Sequence, residues 1–172
     1  MAEQLAAVCN ELRGQGQRPY AVPMGGSSAI GNLGYMDCAR ELARQARDMG
    51  IPMTHIVLAT GSGGTHAGLQ AGVLALGLRV QVVGINIMGE VAAQAAMVWQ
   101  QLQATLALAG VASPFGEADL QLMDGYVGAG YGLPTAAGME AIRTVARLEA
   151  LLLDPVYTGK AMSGLIDLAR RG

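Results

Sequence analysis

Lysine is nearly missing from this chain. Of 172 residues, ten are arginine and one is lysine, Lys160. Arginine stays protonated in proteins and cannot replace lysine where an amine must form a covalent bond. Cysteine is almost as scarce: Cys9 and Cys38 are too few for a disulfide-stapled secreted scaffold. Aromatic residues make up 4% and the net charge is -2. That excludes a general nucleic-acid binder, which needs a basic surface and stacking rings. With 14% charged and 52% hydrophobic residues, disorder is excluded as well. A long hydrophobic run is lacking too. Met49 to Leu78 carries no Asp, Glu, Lys or Arg, but its apolar residues form two short blocks around a glycine cluster. A membrane span needs about 20 in one run, so none is expected. The first fifteen residues carry Glu3 and Glu11 and lack an apolar core. No secretory signal is read there, and a reducing cytoplasm is the expected compartment.

What the chain does have is glycine, 25 of 172 residues. A chain of this mass folds to about 8,000 Å² of surface, enough burial for one core, and residues 1–172 are read as one α/β domain. The periodicity predicts helices over Ala2–Arg13, Leu33–Met49, His66–Gly77, Glu90–Ala109, Thr135–Ala150 and Gly159–Arg171. Strands are predicted at Pro19–Val22, His55–Thr60, Arg79–Ile87 and Leu120–Met123. His55–Thr60 lacks polar alternation and is expected to be buried on both faces. Strands of that kind alternating with helices imply a parallel sheet, with ligands at the carboxyl ends of its strands.

Thr60-Gly-Ser-Gly-Gly-Thr-His-Ala-Gly68 lies between such a strand and a helix. Glycines let the backbone approach a ligand. The helix start offers unpaired N–H groups, and Ser62 and Thr65 add hydroxyls. The run is neither a dinucleotide fingerprint, since His66 stands at its third glycine, nor a P-loop, since no lysine follows. From composition alone a phosphate cradle and a plain tight turn both remain open. His55 and His66 have no cysteine or carboxylate cluster, so no metal site is read.

That run resembles the phosphate loop of the D-cysteine desulfhydrase and 1-aminocyclopropane-1-carboxylate deaminase family, pyridoxal 5'-phosphate enzymes of fold type II, the tryptophan-synthase-β-like group. Pro23-Met-Gly-Gly-Ser-Ser-Ala-Ile-Gly-Asn-Leu-Gly-Tyr35, Gly130-Tyr-Gly-Leu-Pro134 with Gly138-Met-Glu-Ala141, and Leu153-Asp-Pro-Val-Tyr-Thr-Gly-Lys-Ala-Met162 agree in the same order. The resemblance implies that Ser62, Gly63, Gly64 and Thr65 hold the cofactor phosphate. It implies that Tyr157 lies on or beside the pyridine ring and that Tyr131 faces a small amino-acid substrate. Thr158 stands where the deaminase branch carries glutamate against the pyridine nitrogen, which makes the pattern more like the desulfhydrase branch.

The family's Schiff-base lysine and its Ser-Asn-His motif have no counterpart here. The resemblance therefore implies most of a large domain, without the N-terminal and small-domain part and the last strand. Lys160 belongs to the Tyr157-Thr-Gly-Lys motif, which family members carry alongside their Schiff-base lysine, and a structural or surface role is expected for it. The implied activity is β-elimination of D-cysteine to pyruvate, sulfide and ammonia, with these residues catalytically incomplete alone. A full-length homodimer, or a partner supplying the missing segment, goes with it. Three alternatives stay open: a non-catalytic pyridoxal-phosphate- or phosphate-binding fragment or subunit, the deaminase activity, and an L-cysteate sulfo-lyase.

Overall fold

The computed structural model describes residues 2–171. Helix α1 (Ala2–Gly14) and an extended segment lead into α2 (Ala29–Asp48), β1 (His55–Thr60), α3 (Gly64–Ala75), β2 (Gln81–Asn86), α4 (Val91–Ala109), β3 (Gln121–Met123), α5 (Ala136–Glu149) and α6 (Thr158–Arg171). The strands form one parallel sheet in the order β1-β2-β3, as the α/β reading requires.

Side chains alternate along β2, and each face meets a different layer. Val82 joins Leu58, Leu69, Val73 and Ala39 under α2 and α3. Ile85 points the other way and lies beneath Gly164 of α6. A second cluster, Ala67, Ala71, Val98 and Leu102, joins α3 to α4. Helices α2 and α3 cross closely because α3 turns Gly64, Gly68 and Gly72 toward α2. A methyl group added at Gly72 would stand 2.6 Å from the Ala39 Cβ, and one at Gly68 would stand 2.5 Å from the Tyr35 Cβ.

Three expectations need correction. Pro19–Val22 is not a strand: Pro19 has no N–H to donate, and among the described residues no strand pairs with it. His55–Thr60 is a strand with the expected bounds, but it is not buried on both faces. It lies at the sheet edge, where Ile56 and Val57 are half-buried; β2, between two strands, is buried from Val82 to Asn86. Helices α2 and α3 also begin earlier than periodicity indicates. The Ser28 hydroxyl accepts the Gly31 N–H and caps α2 at that point. The exposed area is 10292 Å², well above the compact value of about 8,000 Å². Uncovered residues such as Leu148, Leu151 and Leu152, the last 92% exposed, account for part of the excess. Among the described residues no helix is long and apolar enough to cross a membrane.

Candidate active site

At the carboxyl end of β1 the chain turns through Gly61, Ser62 and Gly63 into α3. Gly63 has φ +83°, a left-handed conformation that suits glycine. The first backbone bond of α3 runs from the Ala67 N–H to the Gly63 carbonyl, 2.9 Å. The N–H groups of Gly64, Thr65 and His66 thus have no partner within the helix, and the positive end of its dipole lies with them.

The turn is held from α4 by amide side chains. Gln94 Nε2 donates to the Gly61 carbonyl at 2.5 Å, and Gln101 Nε2 to the Ser62 carbonyl at 2.7 Å. A trans peptide points its N–H opposite to its carbonyl, so the N–H groups of Ser62 and Gly63 face away from α4. Asn32 of α2 braces the far end, donating to Gln101 Oε1 at 3.3 Å and to Thr105 Oγ1 at 3.0 Å. Sequence reasoning missed Asn32, Gln94 and Gln101. One signal was present: Gln94 and Gln101 stand seven apart, two turns, on one face of a helix without charged residues. Ser27, from the segment before α2, donates its hydroxyl hydrogen to Ser62 Oγ at 2.7 Å.

The cavity at this turn is roughly 100 Å³ and is lined by the turn, Thr65, His66 and Tyr157. No carboxylate lines it. Tyr157 precedes the first turn of α6, and its hydroxyl is hydrogen-bonded to that of Tyr131. The rings meet edge to face, with centroids 6.1 Å apart. The bond to Tyr131, then burial and the nearby Asp154 charge, raise the Tyr157 pKa above the usual phenol value, so Tyr157 stays protonated near neutral pH. The structure thus brings Ser62, Gly63, Thr65 and Tyr157 to one cavity, with Gly64 at its helix start and Tyr131 in contact through Tyr157.

Thr158 is committed elsewhere. Its hydroxyl donates to Asp154 Oδ2 at 2.6 Å and accepts from the Asp154 N–H at 2.8 Å. The Asp154 carboxylate also takes the N–H groups of Val156, Tyr157 and Thr158. Desolvation works to raise the Asp154 pKa. The hydrogen bonds from Thr158, Tyr157 and Val156 together outweigh it and hold the value at about 2. Asp154 therefore fixes the entry of α6 and the backbone of Tyr157. Asp154→Ala is expected to cost about 1–2 kcal/mol, as loss of a helix-capping side chain does, read as a lower urea midpoint.

His66 is fully buried, with Nδ1 3.1 Å from Thr60 Oγ1 and no hydrogen bond at Nε2. Burial lowers its pKa to about 4, outweighing the Val82 backbone, which acts in the opposite direction. It is neutral at pH 7. Lys160, expected as a structural or surface residue, is fully buried.

A buried glycine turn at a helix start, beside a cavity that no carboxylate lines, has the chemistry to accept an anion at the carboxyl edge of a parallel sheet. The chain belongs to the pyridoxal-phosphate-dependent enzyme family, whose pattern it matches over residues 1–172. It is 45% identical over 164 residues to D-cysteine desulfhydrases of Salmonella paratyphi B and Salmonella newport, covering 95% of this chain and 49% of theirs. A crystal structure of an ACC deaminase homologue superimposes with TM-score 0.86 at 38% identity, over 97% of this chain and 49% of that one. The chain spans about half the length of the curated relatives it matches.

Proposed function

We propose that these residues form the phosphate-holding part of a pyridoxal-phosphate lyase that eliminates sulfide from D-cysteine. The observation that carries this reading is the cradle itself, whose unpartnered N–H groups and acid-free cavity fit a phosphate dianion. Ser62, Gly63, Gly64 and Thr65 would hold that phosphate, and Tyr157 would lie toward the ring, with Thr158 directly after it at the start of α6. When bound, the cofactor supplies an electron sink for charge developing at the substrate α-carbon. In the net reaction D-cysteine and water give pyruvate, hydrogen sulfide and ammonia: the α-proton leaves, the carbon–sulfur bond breaks and water replaces the amine.

The chain's own residues have narrower tasks. The turn and the start of α3 offer N–H donors to the phosphate. Asp154 keeps Tyr157 in place. Tyr157, kept protonated, suits donation of a proton rather than its removal, and it passes hydrogen-bond contact on to Tyr131. Thr158 carries no charge to offer the ring, which favours elimination of a good leaving group such as sulfide over the deaminase chemistry. Lys160 already donates to two carbonyls, so the 172 residues contain no lysine free for covalent attachment. Full activity therefore draws on a lysine from outside them.

Two measurements test this. Titration of pyridoxal phosphate into the 172-residue chain is expected to show saturable binding, displaced by inorganic phosphate. No visible absorption band of a lysine-bound cofactor is expected, and no pyruvate from D-cysteine. A visible band abolished by Lys160→Ala would overturn the assignment of Lys160. Substrate choice is read from a chimera in which this chain replaces the matching segment of a Salmonella D-cysteine desulfhydrase. Sulfide release from D-cysteine is expected; a folded, cofactor-binding chimera that instead opens 1-aminocyclopropane-1-carboxylate would overturn the proposed substrate.

A further inference from the structure

We propose that Lys160 is a positioning residue: its ammonium straps the segment carrying Tyr131 to the start of α6, and so holds the two phenols together. Its Nζ donates to the Val127 carbonyl at 2.8 Å and to the Gly130 carbonyl at 3.3 Å. Lys160 is 0% exposed, and the ion pairs among the described residues all involve arginine. Removing an ammonium from water without a counter-charge is costly. An aliphatic side chain would fill the same space without that cost. What the ammonium adds is several N–H donors on one atom, able to grip two separate peptide groups at once.

The gripped segment needs holding. Between Asp124 and Pro134 it forms no helix or strand. Gly125, Gly128 and Gly132 have positive φ, and the backbone bond within it runs from the Leu133 N–H to the Gly130 carbonyl. Such a stretch loses much conformational entropy on ordering. The two phenols are 48% and 43% exposed, so water competes for their hydrogen bond and that bond alone adds little. Lys160 follows Tyr157 by three residues on the same helix start, and Gly130 is bonded to Tyr131. The strap thus joins the rigid carrier of one phenol to the loose carrier of the other. Burial also pulls the Lys160 pKa below the usual lysine range, a penalty on the ammonium that its two carbonyl bonds work against. The strap stands on geometry alone; its value to catalysis rests on the reading of Tyr131 as substrate-facing.

The test uses the single lysine. In the 172-residue chain labelled with 15N-lysine, one Nζ signal arises. It is expected as an ammonium exchanging slowly with water at neutral pH, with cross-peaks from the Lys160 side chain to Val127 and Gly130. Tyrosines labelled with 13C at the hydroxyl-bearing carbon report each phenol separately. In Lys160→Met the Tyr131 and Tyr157 signals are expected to shift while Tyr20 and Tyr35 do not. The Tyr157 titration should move down toward the ordinary phenol value, and amide exchange over residues 125–133 should rise at least tenfold. A folded Lys160→Met protein with unchanged Tyr131 and Tyr157 signals would overturn the proposal. If that variant does not fold, the unsubstituted chain decides: an Nζ exchanging like a surface amine, without the cross-peaks, overturns the strap. Failure to bind pyridoxal phosphate would leave all these signals as they are, which separates this inference from the proposed function.

Discussion

Gly68→Val is expected to cost about 3 kcal/mol or more and to lower the melting temperature by about 6–12 °C. The added Cβ would run into the Asn32 carbonyl oxygen and stand 2.5 Å from the Tyr35 Cβ. Both obstacles are fixed parts of α2, a backbone atom and the root of a side chain, so no rotamer change relieves them. The helices must move apart instead, and Asn32 is drawn away from Gln101 and Thr105. Gly34 provides the control. It lies in α2, and a Cβ there meets nothing within 4 Å. Gly34→Ala should stabilise the protein by up to about 1 kcal/mol, because alanine favours the helix. Equal melting temperatures for Gly68→Val and the parent protein would refute the close α2–α3 crossing.

The second large effect is loss of stability in mild acid through His66. Its pKa falls from 6.5 to about 4 on folding, so between those values the unfolded chain binds the extra proton and the folded one does not. The stabilising contribution is complete above about pH 6.5 and is lost as the pH falls toward 4. A shift of that size corresponds to about 3 kcal/mol, a large share of the 5–15 kcal/mol typical of domains. Asp154 titrates in a separate window, its contribution being lost as the pH falls from about 4 toward 2. Urea midpoints followed from pH 7.5 to 4 should decline in the parent and stay much flatter in His66→Asn. Parallel declines would show that other groups carry the acid sensitivity.

Local pattern made much of this molecule readable. β1 was legible from an apolar run ending in a glycine turn, and the turn into α3 from glycines placed before a helix. The sheet followed from alternation of strands and helices. What stayed hidden depends on distance along the chain. Asn32 meets Thr105 across 73 positions, and nothing in either helix signals the other. Lys160 reads as an ordinary first-turn lysine until the segment before α5 folds over it. Pro19–Val22 failed for the reverse reason: its local pattern suits a strand, but a strand exists only where a neighbour offers hydrogen bonds. Thr158 stands one residue before the helix read from sequence and is the first residue of α6, while its commitment to Asp154 depends on side-chain orientation that spacing does not reveal.

Gln94 and Gln101 of α4 have a thermodynamic consequence for ligand capture. A glycine-rich loop left to itself samples many conformations, and an anion binding to it must bear the ordering entropy. Here Gln94 and Gln101 hold the Gly61 and Ser62 carbonyls in place, so folding has already met that cost. The turn is preorganised, and under the proposed function its affinity for phosphate would depend in part on residues that never touch the phosphate.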